Sequence, residues 1–464
     1  MLKILHKYYS VRKIFFVLGE GALICFSLFM AAMVRLNWHS SACEVEGIVW
    51  LRILVATAVC QVSLYYHELY EIRVTESFFE LSVRIVQALG AACIMLAGIY
   101  YCFPVLILGR GIFLTGILFL ILLIVSWRFL YRHILKNHFF SEKILLVGGG
   151  NLAQLIFREI QDNLDSGYSV AAIVRNAGDP KPAEDPGIES YDDYDHLCEI
   201  AREKGTDKII VALDEKRGRF PTRTLLDCKM RGLSILDGVG FYENLSGKIL
   251  VERTNPSWLI FSEGFRRHKL TLWGKRGIDI LLSSLGLVLG APVILIVAFV
   301  VKVTSPGPVF FKQTRVGQWE MPIQVVKFRT MIQDAESQSG AVWAEENDPR
   351  ITKAGKVLRQ LRLDELPQLW NILRGQMSFV GPRPERPEFV KQLSAKIPYY
   401  VQRHSVKPGL TGWAQVSYPY GASEEDALKK LEYDLFYIKN LSLVMDILIV
   451  FQTIKTVILG KGAR

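Results

Sequence analysis

Long uninterrupted apolar segments constrain this 464-residue chain more than any other feature. Four of them lie in the first third of the chain, each close to the ~20 residues that a helix needs to cross a bilayer. They cover residues 14–34, 48–66, 83–103 and 112–127. Basic residues cluster before the first segment and after the fourth, so the positive-inside rule predicts both ends of this four-helix bundle on the cytoplasmic side. The first segment is long and no small-residue cleavage site follows it, so we expect no cleaved signal peptide.

The overall charge and the cysteines limit the classes of partner. The formal net charge is +10, which suits nucleic acid, anionic lipid or phosphate-bearing substrates. The apolar segments make nucleic acid the weakest of these, so no nucleic-acid partner is expected.

The seven cysteines lack metal-binding spacing, and we expect all of them to be reduced or buried, without disulfides or zinc. Glu20 and Arg52 lie inside apolar segments, and the favoured interpretation is that they pair across helices. The alternative is that either residue marks a lipid or substrate path.

A fifth apolar segment, residues 280–301, has the composition of a transmembrane helix but not its flanks. Basic residues lie on both sides of it, at Lys275, Arg276, Lys302, Lys312 and Arg315. Pro292 divides it into halves of about 10–12 residues, or ~15–18 Å of helix, which is too short to cross ~30 Å of hydrocarbon. We therefore predict a re-entrant helix that kinks at Pro292 and returns to the cytoplasmic face.

Residues 141–250 alternate between buried strands and helices, as a Rossmann-like α/β domain does. After the first strand, Gly148, Gly150 and Ala153 have the spacing of a nucleotide-binding loop that opens a helix. A dinucleotide site also needs an acidic residue after the second strand, where this sequence has Arg175. The loop is therefore either a nucleotide-binding loop or a tight turn whose glycines serve only the backbone.

The adjacent carboxylates Asp364 and Glu365 are the strongest candidates for a catalytic centre. Leucines at helical spacing around them predict a helix over residues 355–374 with a break near Asp364. An isolated Asp-Glu pair is ordinarily the start of a helix on a solvated surface. Here several arginines flank the pair, and the turn Gly381-Pro-Arg-Pro fixes where Arg383 points. A carboxylate among guanidinium groups suits a reaction on phosphate, because one anion attacks while the arginines hold the others.

The remaining elements of this region are simpler. Residues 309–315 and 323–330 are predicted strands, and residues 424–441 are a predicted charged helix. Residues 443–459 are strongly apolar with a few polar positions, and we expect an amphipathic helix that lies in the membrane interface.

Four ordered motifs in this part of the chain resemble those of the bacterial sugar transferases, the monotopic phosphoglycosyl transferases. They are Lys327-Phe-Arg-Thr-Met331, Leu363-Asp-Glu-Leu366, Met377-Ser-Phe-Val-Gly-Pro-Arg-Pro384 and Lys407-Pro-Gly-Leu-Thr-Gly-Trp-Ala-Gln-Val416. The resemblance covers residues 270–464, and the four-span front end is similar to larger members that initiate exopolysaccharide or O-antigen assembly. Family members often have serine before the proline of the re-entrant helix, where this chain has Ala291.

The resemblance completes the expected fold class. It implies an α-helical membrane bundle, a Rossmann-like α/β domain and an α/β monotopic catalytic domain with a re-entrant membrane helix. The corresponding domains are residues 1–140, 141–250 and 275–464, with a linker at 251–274.

The resemblance also implies a reaction, the transfer of a hexose-1-phosphate from a UDP-sugar to undecaprenyl (polyprenyl) phosphate with release of UMP. Asp364 is the implied nucleophile, through a phosphosugar-aspartate intermediate, and Glu365 orients the site or assists the metal. A Mg²⁺ ion held by both carboxylates is expected, because three anions must meet. Arg383 matches the family's phosphate-binding arginine. Arg359, Lys327 and Arg329 are further candidates for binding phosphate, with a surface ion pair as the alternative for each. UDP-glucose and UDP-galactose are the leading donors on family grounds.

The expected partners are the UDP-sugar, the polyprenyl phosphate and the lipid bilayer, and a homodimer is left open. The expected location is the bacterial inner membrane, with the catalytic domain on the cytoplasmic face. Two alternatives remain. A nucleotide-sugar dehydratase or epimerase would need a Tyr-x-x-x-Lys dyad, which residues 141–250 lack. An inactive membrane scaffold or regulator of polysaccharide export would not need the acidic pair and the Arg383 turn, which are both intact.

Overall fold

The computed structural model describes residues 2–4, 7–9, 11–36, 46–70, 78–136, 141–163, 166–176, 188–214, 220–253, 256–333, 348–419, 421 and 423–458. The chain forms two compact units, Met1–Phe241 and Tyr242–Arg464.

The first unit begins with a short antiparallel hairpin and four long helices. The hairpin strands are β1 (Leu2–Ile4) and β2 (Lys7–Tyr9), and the helices are α1 (Val11–Leu36), α2 (Glu46–Tyr66), α3 (Phe78–Cys102) and α4 (Arg110–Lys136). The helices pack as neighbours in the order α3, α2, α1, α4. Apolar side chains from all four helices form their common core, which includes Phe16, Ile53, Ile85 and Ile124.

Three of these helices are long and apolar enough to cross a bilayer, over Phe15–Val34, Ile48–Tyr66 and Phe79–Cys102. Within the described residues, α4 adds a further apolar helix over Thr115–Tyr131, which contains Arg128. The predicted four apolar helices at the start of the chain are therefore confirmed.

The predicted pairing of Glu20 with Arg52 is wrong. Glu20 Oε1 accepts a hydrogen bond from Arg128 Nη2 at 2.7 Å, which joins α1 to α4 in a fully buried ion pair. Arg52 Nε instead donates to the carbonyl oxygen of Val105 at 2.7 Å. A buried carboxylate needs an opposite charge within hydrogen-bonding distance, and only the packing of α4 against α1 reveals that Arg128 supplies it.

The α/β domain of this unit contains one parallel sheet. Its elements are β3 (Glu142–Val147), α5 (Asn151–Asp162), β4 (Tyr168–Val174), β5 (Glu189–Tyr191), α6 (Leu197–Glu203), β6 (Lys208–Val211), α7 (Thr222–Met230) and β7 (Ser234–Asp237). All neighbouring strands are parallel, in the order β5-β4-β3-β6-β7. From β3 the chain adds β4 and β5 on one side of the sheet and then β6 and β7 on the other. The topological switch point of this doubly wound sheet therefore lies between β3 and β6.

The expectation that no cysteines form a disulfide is wrong for one pair. Cys198 of α6 and Cys228 of α7 form a disulfide, with their Cα atoms 5.3 Å apart. The two helices pack side by side, which brings together residues that are far apart in sequence. The free cysteines within the described residues are Cys25, Cys60, Cys93 and Cys102, and Cys43 lies outside them.

The division between the two units falls inside helix α8 (Gly238–Ser246). The further elements are α9 (Pro256–Phe261), α10 (Lys269–Thr304), β8 (Phe310–Val316), β9 (Pro322–Phe328), α11 (Lys353–Gln360), α12 (Gln368–Leu373), β10 (Ser378–Val380), α13 (Pro387–Lys396), β11 (Gly409–Thr411), α14 (Trp413–Ser417), α15 (Glu424–Lys439) and α16 (Leu443–Ile458). Strands β8 and β9 form an antiparallel hairpin, and β10 pairs in parallel with β11. These elements confirm the predicted strands and the predicted helix at 424–441.

The residues after the boundary pack against α15. Glu243 forms an ion pair with Lys439 at 2.8 Å, and the Ile249 amide donates to the Glu432 carbonyl oxygen at 3.0 Å. The indole of Trp413 donates to the Gly247 carbonyl oxygen at 2.8 Å. These contacts fix residues 243–249 within the second unit.

Helix α10 is continuous over 36 residues and includes Pro292. Both of its ends are held by the same unit. Near the amino end, Arg276 donates to the carbonyl oxygens of Ile372 and Leu373, each at 2.7 Å. At the carboxyl end, the Ser305 carbonyl oxygen accepts from Arg329 Nη2 at 2.6 Å. Between these ends, large apolar side chains are exposed, including Leu281 (66%), Val288 (72%) and Phe299 (71%).

Candidate active site

The acidic pair lies on a tight turn between two short helices. Helix α11 ends at Gln360, and Arg362 then takes a left-handed backbone conformation with φ 56°. A single 3₁₀ turn, Leu363–Glu365, follows before α12 begins. A left-handed non-glycine residue costs backbone energy, so such a turn persists only where its surroundings fix it. The predicted helix with a break near Asp364 is confirmed.

Leucines around the turn fix it in the core. Leu363 and Leu366 pack against the cluster formed by Val297, Val301, Phe328 and Leu358, and Leu369 belongs to a second cluster with Ile323, Val325, Ile372 and Met377. Because these leucines pack against residues of helix α10 and strand β9, the turn that carries Asp364 and Glu365 is fixed on both sides. Each of the two acidic residues is only 8% exposed.

Glu365 is surrounded by positive charge. Its Oε1 lies 3.1 Å from Arg383 Nη2 and 3.3 Å from Lys327 Nζ, and its Oε2 lies 3.8 Å from Arg362 Nη1. Burial acts to raise the pKa of Glu365, but the charges of Arg383, Lys327 and Arg362 outweigh it and lower the pKa to about 2. Glu365 is therefore ionised over the working range of an enzyme.

Asp364 has the opposite electrostatic character. Its pKa is raised above the ordinary value, chiefly by burial and also by the negative charge of Glu365. The charges of Lys327, Arg359 and Arg383 oppose this rise. Asp364 makes no hydrogen bond or ion pair with the residues that the structure describes. Two adjacent carboxylates with divergent pKa values are suited to different roles.

The structure brings most of the predicted phosphate-binding residues to this pair. Lys327 and Arg383 contact Glu365 directly, while Arg359 acts on Asp364 through its charge and donates from Nε to Thr330 Oγ1 at 2.9 Å. Arg329 is placed differently, because its buried guanidinium donates to Ser305 at the carboxyl end of α10.

Contacts of Gly381 and Arg403 fix the turn that carries Arg383. A Cβ atom on Gly381 would lie 2.4 Å from the Lys407 carbonyl oxygen, so only glycine allows the backbone of this turn to approach that of the β10–β11 pair. Arg403 Nη2 donates to the Arg383 carbonyl oxygen at 3.3 Å and to Asp434 Oδ2 at 2.8 Å. Arg403 and Asp434 are both buried, and burial raises the pKa of Asp434 to about 6 against the opposing charge of Arg403.

Helix α10 is joined to the strand that leads into the same turn. Asp279 Oδ1 accepts hydrogen bonds from Ser378 Oγ at 3.0 Å and from the Phe379 amide at 2.9 Å. Lys275 Nζ donates to the Val380 carbonyl oxygen at 2.8 Å and to Asp446 Oδ2 at 2.7 Å. These contacts join helix α10 to the strand that leads into the turn carrying Arg383.

Sequence reasoning missed these supporting residues, although a signal was present. Asp279 and Asp446 lie at the edges of strongly apolar segments, and Asp434 lies on the buried face of a charged helix. A carboxylate in such a position normally has a buried partner.

The donor set limits how a metal ion could bind. Within the described residues, no three histidine, cysteine or carboxylate side chains are grouped so that they could hold a metal. Magnesium is commonly held by one or two carboxylates together with substrate phosphates, so this site fits Mg²⁺ in that manner only. Asp364 is the better ligand, because Glu365 is engaged by three cations.

The predicted nucleotide loop lies in the other unit. Gly148 follows β3, Gly150 caps the start of α5, and Ala153 is buried within that helix.

Comparisons with known proteins agree with these features. The family model for bacterial sugar transferases matches residues 270–460, and that for a CoA-binding domain matches residues 66–219. A UDP-N-acetylgalactosamine-undecaprenyl-phosphate N-acetylgalactosaminephosphotransferase from Aeromonas hydrophila is 42% identical over 242 residues, which is 52% of this chain and 56% of that protein. The UDP-glucose:undecaprenyl-phosphate glucose-1-phosphate transferase of Escherichia coli (strain K12) is 35% identical over 343 residues, 71% of this chain and 70% of that protein.

A shorter relative is matched over nearly its whole length. The exopolysaccharide production protein PSS of Rhizobium leguminosarum bv. phaseoli is 43% identical over 197 residues, which is 40% of this chain but 97% of that protein.

Proposed function

Because the chain belongs to the bacterial sugar transferase family, we propose that it transfers a hexose-1-phosphate from a UDP-sugar to undecaprenyl phosphate and releases UMP. The observation that carries this proposal is the acidic pair: a buried Asp364 with a raised pKa stands beside an ionised Glu365 within one cluster of cations. The substrates named for the relatives are a UDP-sugar and undecaprenyl phosphate, both of which bring phosphate to such a cluster.

In the proposed first half-reaction, a carboxylate oxygen of Asp364 attacks the phosphorus that carries the sugar. An oxygen–phosphorus bond to Asp364 forms, the bond to the uridylate oxygen breaks, and UMP leaves with the electron pair. The raised pKa makes this carboxylate a stronger nucleophile, and the charges of Lys327, Arg359 and Arg383 favour its ionised form. In the second half-reaction, an oxygen of the lipid phosphate attacks the same phosphorus, and Asp364 leaves as a carboxylate.

The surrounding cations hold the phosphate oxygens during both steps. Arg383 supplies a planar guanidinium that can hold two oxygens at once, and Lys327 supplies a point charge. Glu365 keeps both side chains in place by pairing with them before the substrate arrives, which is electrostatic preorganisation.

We propose that Asp364 and the substrate phosphates together hold Mg²⁺, with Glu365 beside them. When bound, the ion would neutralise phosphate charge so that the carboxylate and the substrates can approach one another.

The same proposal includes a membrane arrangement. A straight helix of 36 residues would extend ~54 Å, yet both ends of α10 are bound by the same unit and its middle exposes apolar side chains. These contacts support a re-entrant α10 that dips into the bilayer and returns. The catalytic unit would then lie on the cytoplasmic face of the bacterial inner membrane, where UDP-sugars are made. Exposed Val444 and Ile447 support an interfacial position for α16.

The test is UMP release by the purified full-length protein with Mg²⁺ and undecaprenyl phosphate. UDP-glucose, UDP-galactose and UDP-N-acetylgalactosamine are supplied one at a time, and the lipid product is identified by mass. We expect one donor to give equimolar UMP and lipid-linked sugar phosphate. Conversion of the sugar without UMP would instead indicate a dehydratase or epimerase, and no turnover of any UDP-sugar would indicate a scaffold.

A further inference from the structure

The turn between β3 and α5 occupies the position where doubly wound sheets bind phosphate. It lies at the switch point of the sheet, where the carboxyl ends of β3 and β6 are neighbours. In such folds, the backbone N–H groups at the start of the helix bind the pyrophosphate of CoA or of a dinucleotide. The family model for a CoA-binding domain matches residues 66–219, which include this turn.

In this protein, the carboxylate of Asp214 accepts hydrogen bonds from the backbone N–H groups at the start of α5. Asp214 Oδ2 accepts from the Asn151 amide at 2.8 Å, and Asp214 Oδ1 accepts from the Leu152 amide at 3.2 Å. Asp214 follows β6 across the switch point, so its negative charge lies at the positive end of the α5 dipole. A bound phosphate would need the same donors and the same position.

The carboxylate of Asp214 leaves no room for a side chain at Gly150. Its backbone has φ −78° and ψ −173°, an extended conformation that any residue can adopt. A Cβ atom there would nevertheless lie 2.2 Å from Asp214 Oδ2 and 2.8 Å from Asp214 Cγ. Gly148 is different, because its φ of +125° and a Cβ position 2.4 Å from the Ala212 carbonyl oxygen require glycine for the backbone alone. Both glycines of the motif are therefore explained without a ligand.

The acidic residue that would bind the ribose of a dinucleotide is also replaced in this chain. After β4, where a ribose-binding carboxylate would stand, the chain has a buried arginine. Arg175 Nη2 pairs with Asp192 Oδ1 at 2.8 Å. An arginine at this end of the sheet could accept a phosphate in principle, but here an internal carboxylate engages it.

We propose that Asp214 is a built-in anion that fills the phosphate position of the glycine-rich loop. The domain consequently binds neither CoA nor a dinucleotide through this loop. The carboxylate replaces the ligand structurally, because it caps α5 and ties the end of β6 to the start of that helix.

A double-substitution cycle tests the contact itself. Amide hydrogen exchange of α5 is measured in the full-length protein in detergent micelles for Gly150→Ala, Asp214→Ala and the double variant. Gly150→Ala should speed exchange in α5 markedly in the natural chain and far less in the Asp214→Ala background, because the crowding atoms are then absent. Equal effects in the two backgrounds would overturn the proposal.

A matched control is available in the same domain. Asp237 accepts a hydrogen bond from the Gly240 amide at 3.2 Å at the start of α8, a different helix from the one that Asp214 caps. Asp237→Ala removes a comparable contact, so its effect and that of Gly150→Ala should simply add.

Ligand binding provides the second test, with CoA, NAD and inorganic pyrophosphate in equilibrium dialysis at millimolar concentration. The unsubstituted protein should bind none of them at this loop, whereas Asp214→Ala should gain pyrophosphate binding that slows exchange in α5. Binding of CoA or NAD by the unsubstituted protein with slowed exchange in α5 would contradict the proposal. A folded Asp214→Ala variant that gains no pyrophosphate binding would contradict it too.

Discussion

Arg383 donates from Nη2 to Glu365 Oε1 at 3.1 Å, which joins the turn after β10 to the turn before α12. The two residues come from separate sequence motifs, and each is fixed by its own support. Leucines packed in the core hold the acidic turn, while Gly381, Arg403 and the end of β10 hold the arginine turn. This ion pair leaves Asp364 beside an arginine that is already oriented, as expected of a site that receives phosphate.

Arg383→Lys tests the guanidinium in this pair. Lysine keeps the charge but cannot hold two phosphate oxygens in a planar fork, so we expect kcat/KM for UMP release to fall by roughly 10–100-fold. Arg362→Lys is the matched control, since Arg362 reaches the same carboxylate only at 3.8 Å and should lose much less activity. Equal losses in the two variants would mean that Arg383 has no special role with phosphate.

The acidic limb of the pH–rate profile tests the electrostatics of the pair. Asp364 must be ionised to attack, so activity should fall as the pH drops through its raised pKa. Glu365→Gln removes a neighbouring negative charge and leaves the local cations to act on Asp364. The limb should therefore move to lower pH even though the maximal rate drops. A limb that moves to higher pH, or stays in place, would contradict this account.

Glu365 also makes a prediction about stability. Its pKa falls from 4.5 in the unfolded chain to about 2 in the folded unit, so its contribution is fully present above pH 4.5 and is lost as the pH falls towards 2. Glu365→Gln should weaken the acid dependence of unfolding in this window, measured by amide exchange in α12 at several pH values. An unchanged dependence would show that the ion pairs do not stabilise the turn.

Much of this arrangement could be predicted from local sequence patterns. The apolar segments, the order of strands and helices, and the break at Asp364 depend on neighbouring residues, so hydrophobic spacing and turn chemistry reveal them. The partners of buried charges do not follow from such patterns. Arg128 of α4 pairs with Glu20 of α1, the Cys198–Cys228 pair depends on the packing of two helices, and Asp279 binds a strand about a hundred residues later. Each of these contacts depends on tertiary packing.

The path of α10 can be tested by labelling from the two sides of the membrane. Lys269→Cys and Lys312→Cys place a thiol at exposed positions near either end of α10, and the natural chain gives the background from its own cysteines. An impermeant maleimide added to right-side-out or inverted vesicles should reach both positions from the cytoplasmic face only. Labelling of the two positions from opposite faces would mean that α10 crosses the membrane.

Shortened chains test whether the second unit is sufficient for chemistry. A chain that begins at Tyr242 keeps the contacts of Glu243, Gly247 and Ile249 with the rest of the unit, so we expect it to fold, bind membranes and release UMP. A chain that begins at residue 265 should retain chemistry with lower thermal stability, because these contacts are lost. A folded, membrane-bound chain from Tyr242 without any activity would show that the first unit is needed for the reaction.

The most direct test of the mechanism is a single-turnover measurement without lipid acceptor. The purified protein is mixed with Mg²⁺ and a UDP-sugar labelled in the sugar and in the β-phosphate, then denatured, and peptides containing residue 364 are analysed by mass spectrometry. We expect about one UMP per active site and a phosphosugar on Asp364, with no label in Asp364→Asn, which keeps the shape but loses the nucleophilic charge. If the protein binds the UDP-sugar yet releases no UMP and carries no label until lipid is added, the lipid phosphate attacks the donor directly and Asp364 is not the nucleophile.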